Sequence, residues 1–285
     1  MMKYNVLEQF DLKGKTAAIT GGGGELCGTM AEALAEMGVK TAILDINLEN
    51  AKKREKAITD AGGTAKGFAC DVLDEADLRE VYKEISDLWG VPDFLINGAG
   101  GNNPQGSTDK EFFELEDLDS PDLKGFFDLT FEGFDKTFAL NFLGTFLTTK
   151  VFIRGMAENK RGAVVNVSSM SAFTPLTKVG AYSAAKAAVS NFTRWAAVHF
   201  SHAGVRVNAI APGFFMTEQL RFLHINRETG ELTPRAKKVV AHTPMGRYGE
   251  PEELLGAVVW LLSEASRFVT GTVVPIDGGF SSYAI

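Results

Sequence analysis

VVNVSSMSAFTPLTKVGAYSAAK, residues 164–186, begins as a strand and ends as a helix. The apolar, β-branched start closing on Ser168 and Ser169 is the pattern of a buried strand reaching a sheet edge. From Ala181 the text turns Ala-rich, AYSAAKAAVSNFTRWAAVHF, and predicts a helix. Tyr182 and Lys186 stand four residues apart on it and project from one face. A phenol, with a pKa of about 10, is a poor base near neutrality. A nearby ammonium favours the phenolate. A serine hydroxyl alongside could hold a carbonyl or alcohol oxygen while the tyrosine moves its proton. YxxxK also arises by chance in many helices, so the pair acquires meaning only from the rest of the chain.

Upstream, the apolar run Lys15 to Thr20 breaks into four glycines, Gly21 to Gly24, before a helical pattern from Leu26 to Met37 and a stop at Gly38. Strand, glycine turn and helix make the first half of a βαβ unit. Such a turn either suits glycine for its tightness alone or brings backbone amides to a phosphate. The strand Lys40 to Leu44 ends in Asp45, where a carboxylate can accept two ribose hydroxyls and would repel a 2′-phosphate. No arginine stands in Asp45-Ile46-Asn47, which favours NAD over NADP. A charged helix over Leu48 to Ala61, a strand over Ala65 to Ala69 and a helix over Glu75 to Trp89 follow. Asp71, after the third strand, suits either an adenine contact or a helix N-cap. The strand Asp93 to Ile96 ends in Asn97-Gly-Ala-Gly-Gly101, whose small residues leave room for something flat above the sheet.

Two stretches resist periodic reading. Residues 102–131 are acidic, with paired phenylalanines, and read as a long loop or short helices near the mouth of a site, or as a solvated surface loop. One long helix is predicted over Phe134 to Met156, with Asn141 as a polar residue needing a partner in an apolar context. After the strand Arg206 to Ile210, a second irregular stretch, about 214–250, carries Arg221, Arg227, Lys237, Lys238 and Arg247 and reads as a lid. A helix over Pro251 to Ser263 and a strand over Thr272 to Ile276 complete the pattern.

The formal charge is −7 over 285 residues, with 45% hydrophobic and 23% charged residues. This composition supports a large core and argues against nucleic-acid or anionic-membrane partners. Cys27 and Cys70 are the two cysteines and show no metal spacing, nor do the four histidines, so no metal is expected. With no apolar leader and no long apolar run, a soluble cytoplasmic protein is expected. Seven strand signals alternating with helices predict an α/β chain: a single Rossmann domain over 1–285 with a doubly wound, seven-stranded parallel sheet.

From about Leu12 to Ser282 the chain resembles the short-chain dehydrogenase/reductase family. The segments that carry the resemblance are Thr20-Gly21 with its glycine run, Asp71-Val72, Asn97-Gly-Ala-Gly100, Asn141, Ser169, Tyr182-x-x-x-Lys186, Pro212-Gly213 and Asp277-Gly-Gly279. Glu25 and Cys27 depart from the family's TGxxxGxG, occupying its second and third glycine positions. The text TGGGGELCG, the insert after Gly101 and APGFFMTEQ are similar to a subgroup of mannonate oxidoreductases, or fructuronate reductases.

The resemblance implies hydride transfer between a nicotinamide and a secondary alcohol or ketone. Tyr182 would be the acid/base and Ser169 would hold the reacting oxygen. Lys186 would lower the tyrosine pKa and hold the nicotinamide ribose, and Asn141 would anchor a water. Cofactor contacts are implied at Gly21, Gly24, Glu25, Leu26, Asp45, Ile46, Asp71, Val72, Asn97, Ala99, Gly100, Tyr182, Lys186, Pro212, Gly213, Phe215 and Thr217. The expected substrate is a sugar acid, with Lys178, Arg221 and Asn102 as candidate contacts, in a homotetramer. A gluconate 5-dehydrogenase or another ketose or polyol dehydrogenase is the alternative enzyme, and a non-catalytic NAD-binding module the alternative class.

Overall fold

The computed structural model describes residues 5–227 and 229–284; the extreme ends of the 1–285 unit and Glu228 within the 214–250 stretch lie outside the described residues. Seven strands form one sheet: β1 (Thr16–Thr20), β2 (Lys40–Asp45), β3 (Thr64–Ala69), β4 (Phe94–Asn97), β5 (Gly162–Val167), β6 (Val205–Pro212) and β7 (Val273–Ile276). Their order is β3-β2-β1-β4-β5-β6-β7, and every neighbouring pair is parallel. Parallel strands covered on both faces read as near-continuous apolar runs, and all five residues of β1 are buried. Helices α1 (Glu25–Glu36), α2 (Leu48–Asp60) and α9 (Leu255–Leu262) cover one face. On the other lie α3 (Glu75–Trp89), α5 (Gly144–Glu158) and α6 (Gly180–His199).

The chain moves outward from β1 to β3, then returns to place β4 on the far side of β1. That reversal opens a crevice at the carboxyl ends of β1 and β4, where ligands of open α/β sheets bind. Thr20 closes its floor, its Oγ1 accepting the Gly98 and Ala99 N–H groups at 3.1 and 3.2 Å.

Three sequence expectations are corrected. The helix expected over Phe134 to Met156 is α4 (Phe131–Phe138), a five-residue π-helical turn Ala139–Leu143, and α5. The turn is centred on Asn141, whose Nδ2 donates to the Thr137 carbonyl at 2.7 Å in place of a backbone N–H. The 214–250 stretch holds two helices, α7 (Glu218–His224) and α8 (Pro234–His242). α8 packs on a small core of Met216, Ala236, Val239 and Tyr248, and His224 at the end of α7 shares a hydrogen bond with the Tyr248 hydroxyl at 2.8 Å. A 3-10 turn, Pro251–Leu254, precedes α9 because proline and a Glu250–Glu253 capping box open it. Residues 102–131 contain only three short 3-10 turns before α4.

Candidate active site

Ser169, Tyr182, Lys186 and Asn141 are brought together at the carboxyl end of β5. Ser169 leaves the strand in extended backbone, and its Oγ accepts the Ser171 N–H at 3.1 Å. The Lys186 Nζ lies 5.7 Å from the centre of the Tyr182 ring and donates to the Val167 carbonyl at 2.8 Å. Asn141 is fully buried and clamps Gly101: its Oδ1 accepts the Gly101 N–H at 3.1 Å and its Nδ2 donates to the Gly101 carbonyl at 2.7 Å. A Cβ on Gly100 would stand 2.6 Å from the Asn141 Oδ1 and 3.2 Å from the Lys186 Nζ. Glycine is therefore required there, and all three groups border one space.

Burial raises the Tyr182 phenol above its usual range, and its hydrogen bond to Ser169 works against that shift. Lys186, also buried, falls to about 8.

The other half of the crevice fits a dinucleotide. Asp45 lies at the end of β2 with Oδ2 accepting the Gly23 N–H at 3.1 Å and Oδ1 accepting the Asn47 N–H at 2.9 Å. Each oxygen retains acceptor capacity for a diol. Ile46 beside it is 76% exposed, an apolar surface suited to a flat base. Gly24 N-caps α1 with no side chain over the helix start, leaving its amides accessible to a phosphate. The guanidinium nearest this turn, Arg54, is engaged by Glu32 at 2.6 Å.

Residues 26–281 match a family model described as enoyl-(acyl carrier protein) reductase. An uncharacterised oxidoreductase of Bacillus subtilis, UxuB, is 50% identical over 96% of this chain and 97% of its own. The chain belongs to the short-chain dehydrogenase/reductase family. A Haemophilus influenza protein provisionally named a D-mannonate oxidoreductase, crystallised with bound NAD, shares 48% identity and a TM-score of 0.91 over 98% of this chain and 99% of that one. Galactitol 2-dehydrogenase of Rhizobium johnstonii is 32% identical over 97% of this chain and 98% of its own. Family members act as oxidoreductases on alcohol groups, and this chain is one of them.

The two departures from the family's glycine pattern have separate structural reasons. Cys27 points its sulfur into the space beneath Gly98, which a Cβ on Gly98 would overlap. Burial pushes its thiol up to about 11, so it serves as a small apolar filler rather than a nucleophile. Glu25 turns away from the glycine turn, and its Oε2 accepts the Glu218 N–H at the start of α7 at 2.7 Å. It ties the turn to the segment after β6.

Several expected cofactor residues do not face the crevice with their side chains. Asn97 is buried, donating to Thr149 and Asn166 at 2.9 and 2.8 Å, so only its backbone borders the site. Phe215 is buried with its ring against Gly249, and Val72 packs on Gly144. Asp71 uses one oxygen to accept the Leu73 N–H, while the N-cap of α3 is Asp74, three residues on, and not Asp71. Gly21, with φ 64°, needs glycine and lies against Ala99. Gly213 is pressed on Asp277, and Thr217 caps α7 through the Leu220 N–H. Leu26 is half-buried, and Pro212 ends β6 in the core.

Of the substrate candidates, Asn102 is exposed and donates to Ser107 at 2.9 Å. Arg221 is exposed on α7. Lys178 is half-buried at φ 73°, and its carbonyl accepts the Thr108 N–H at 2.9 Å. Sequence reading passed over Arg235 and Glu111. Glu111 pairs with Lys238, which links the insert to α8. Nothing in the text of the insert distinguishes Glu111 from its acidic neighbours. Among the described residues no group of three or more His, Cys, Asp or Glu could hold a metal ion, and no helix is long and apolar enough to cross a membrane.

Proposed function

We propose that this chain is an NAD-dependent dehydrogenase of a sugar acid, interconverting D-mannonate and D-fructuronate. The observation that carries the reaction is a half-buried phenol beside the Ser169 hydroxyl, one helical turn from a buried amine at the crevice. Bound there, NAD supplies the hydride acceptor. Tyr182 takes the proton of the substrate hydroxyl during oxidation and returns it during reduction. Ser169 donates a hydrogen bond to the same oxygen. Lys186, with Nζ anchored on Val167, has two N–H bonds left for the cofactor ribose. Asn141 fixes Gly101 and the crevice wall, and an ordered water on it would connect Lys186 to solvent. Asp45 holds the adenosine ribose and disfavours a 2′-phosphate.

The substrate class is supported by the Haemophilus protein's name and by the cations gathered in the 214–250 segment, which we take as a lid. The galactitol relative makes an uncharged polyol the competing class. Steady-state assays of mannonate with NAD and fructuronate with NADH, beside galactitol and gluconate, decide between them. A kcat/KM greater for galactitol than for mannonate overturns the sugar-acid reading, and one greater for gluconate overturns the assignment to mannonate within it. In the same assays wild type prefers NAD to NADP, and Asp45→Ser erodes that ratio. A wild-type ratio favouring NADP removes the role given to Asp45.

We further propose a homotetramer built on the outer faces of α4, α5 and α6.

A further inference from the structure

The segments following β4, β5 and β6 leave the same edge of the sheet, and at one point all three meet. Lys238 of α8 pairs there with Glu111 of the insert. Arg235 stands three residues before Lys238, on the same face of α8. Thr108, three residues before Glu111, donates its N–H to the Lys178 carbonyl at 2.9 Å, drawing the loop before Tyr182 to the same place. Lys178 holds φ 73° to reach it, a backbone region costly for a residue with a side chain. One cation thus pairs with this carboxylate, and two more, Arg235 and Lys178, are carried to its neighbourhood by α8 and by the loop before Tyr182.

The Glu111 carboxyl is held below its usual range first by its bond to Lys238, then by the fields of Lys178 and Arg235. Other cations of the segment are engaged elsewhere. Lys237 pairs with Glu231 at 3.6 Å, Arg247 with Glu253 at 2.6 Å, and Arg227 covers the Phe222 ring at 4.5 Å. The Glu111 pair with Lys238 is solvent-facing, and such pairs are readily exchanged.

We propose that Lys178, Arg235 and Lys238 form the subsite for the substrate's carboxylate, and that Glu111 occupies this subsite until the substrate displaces it. The proposal rests on the sugar-acid reading of the function. One carboxylate replaces another of the same charge and shape, with the Arg235 fork offering two parallel donors. Lys178 precedes Tyr182 by four residues, in the loop that leads into α6, so the subsite adjoins the segment carrying the acid/base. Glu111 raises the concentration of acid substrate needed, and an uncharged ketose gains nothing from displacing it.

D-fructuronate and D-fructose, each with NADH, are the probes. Wild type favours fructuronate. The double change Arg235→Met/Lys238→Met loses about 10- to 100-fold in kcat/KM on fructuronate, through KM, and leaves fructose unchanged. Lys178→Met does the same more weakly. Glu111→Gln lowers the fructuronate KM without moving that for fructose. Lys237→Met, on the same helix but paired with Glu231, changes neither. NADH binding by fluorescence establishes that each variant is folded, and if the double variant fails it, Glu111→Gln decides alone. Equal losses on both ketoses, or a higher fructuronate KM in Glu111→Gln, overturn the subsite while leaving the sugar-acid reading intact. A wild type that favours fructose, or that does not turn over fructuronate, overturns both.

Discussion

At Tyr182 two influences oppose each other: burial favours the phenol, and the Ser169 hydrogen bond favours the phenolate. Alcohol oxidation needs the phenolate, so its rate rises with pH. Ser169→Ala removes an influence that lowers the tyrosine and moves this rising limb to higher pH. Profiles of kcat/KM for oxidation test it, and an unmoved limb refutes the balance described. Lys186 has the opposite sign of linkage. Its pKa is about 8 in the folded protein against an ordinary 10.5, so between those values the unfolded chain holds more protons. Wild type therefore gains stability as pH climbs through that window and loses it as pH falls toward 8. Lys186→Met lacks this dependence. Its Tm relative to wild type is most favourable near pH 7 and declines toward alkaline pH, while its activity is lost. A difference in Tm independent of pH refutes the burial argument.

Between elements, the fit of α1 beneath the end of β4 decides which glycines are required. Gly98 gives way to the Cys27 sulfur, whereas the Cys27 Cβ lies 3.5 Å from where a Cβ on Gly98 would stand, an ordinary contact. Gly98→Ala alone should overpack the turn and cost about 1–3 kcal/mol. Gly98→Ala with Cys27→Ala should recover part of that loss, since the Thr20 carbonyl, 3.0 Å from the new Cβ, remains. Denaturant unfolding of the two single variants and the double variant measures the coupling. Additive losses would mean that the sulfur is not the obstruction. The π-helical turn is a second case of fit between elements. It lets Asn141 reach Gly101 across the crevice, and a regular helix over 134–156 would turn this side chain elsewhere.

On the scale of the whole molecule, the outer surface of α4 to α6 has no covering layer among the described residues. Phe138, Phe142, Phe192, Trp195 and His199 form a continuous row of ring contacts along it. Leu143, Phe146, Trp195 and Val198 remain exposed on it, Val198 at 76%. An apolar face of this extent marks an association surface. Trp195→Glu should convert the expected tetramer to a smaller species and lower Tm, with the monomer's NADH binding retained. Light scattering reads the change; a wild type that is monomeric at micromolar concentration refutes the assembly.

The order of strands and helices was legible because parallel sheets demand apolar runs punctuated by glycine, and KTAAIT, KTAIL and VVNV carry that signal over a few adjacent residues. Tyr182 and Lys186 were legible for the same reason, since four residues on a helix fix a shared face. Asp45 was readable from its distance after the glycines. The sequence could not announce the π-helical turn at Asn141, whose stability comes from Gly101, forty residues away. Nor could it reveal that Asn97 turns into the core toward Thr149 and Asn166, or that Glu25 reaches Glu218 across 193 positions. The meeting of Glu111 with Lys238 likewise depends on two irregular segments without periodicity of their own. Local pattern determines which element a residue joins. Which side chains share one space is set by long-range packing, and only the folded chain decides it.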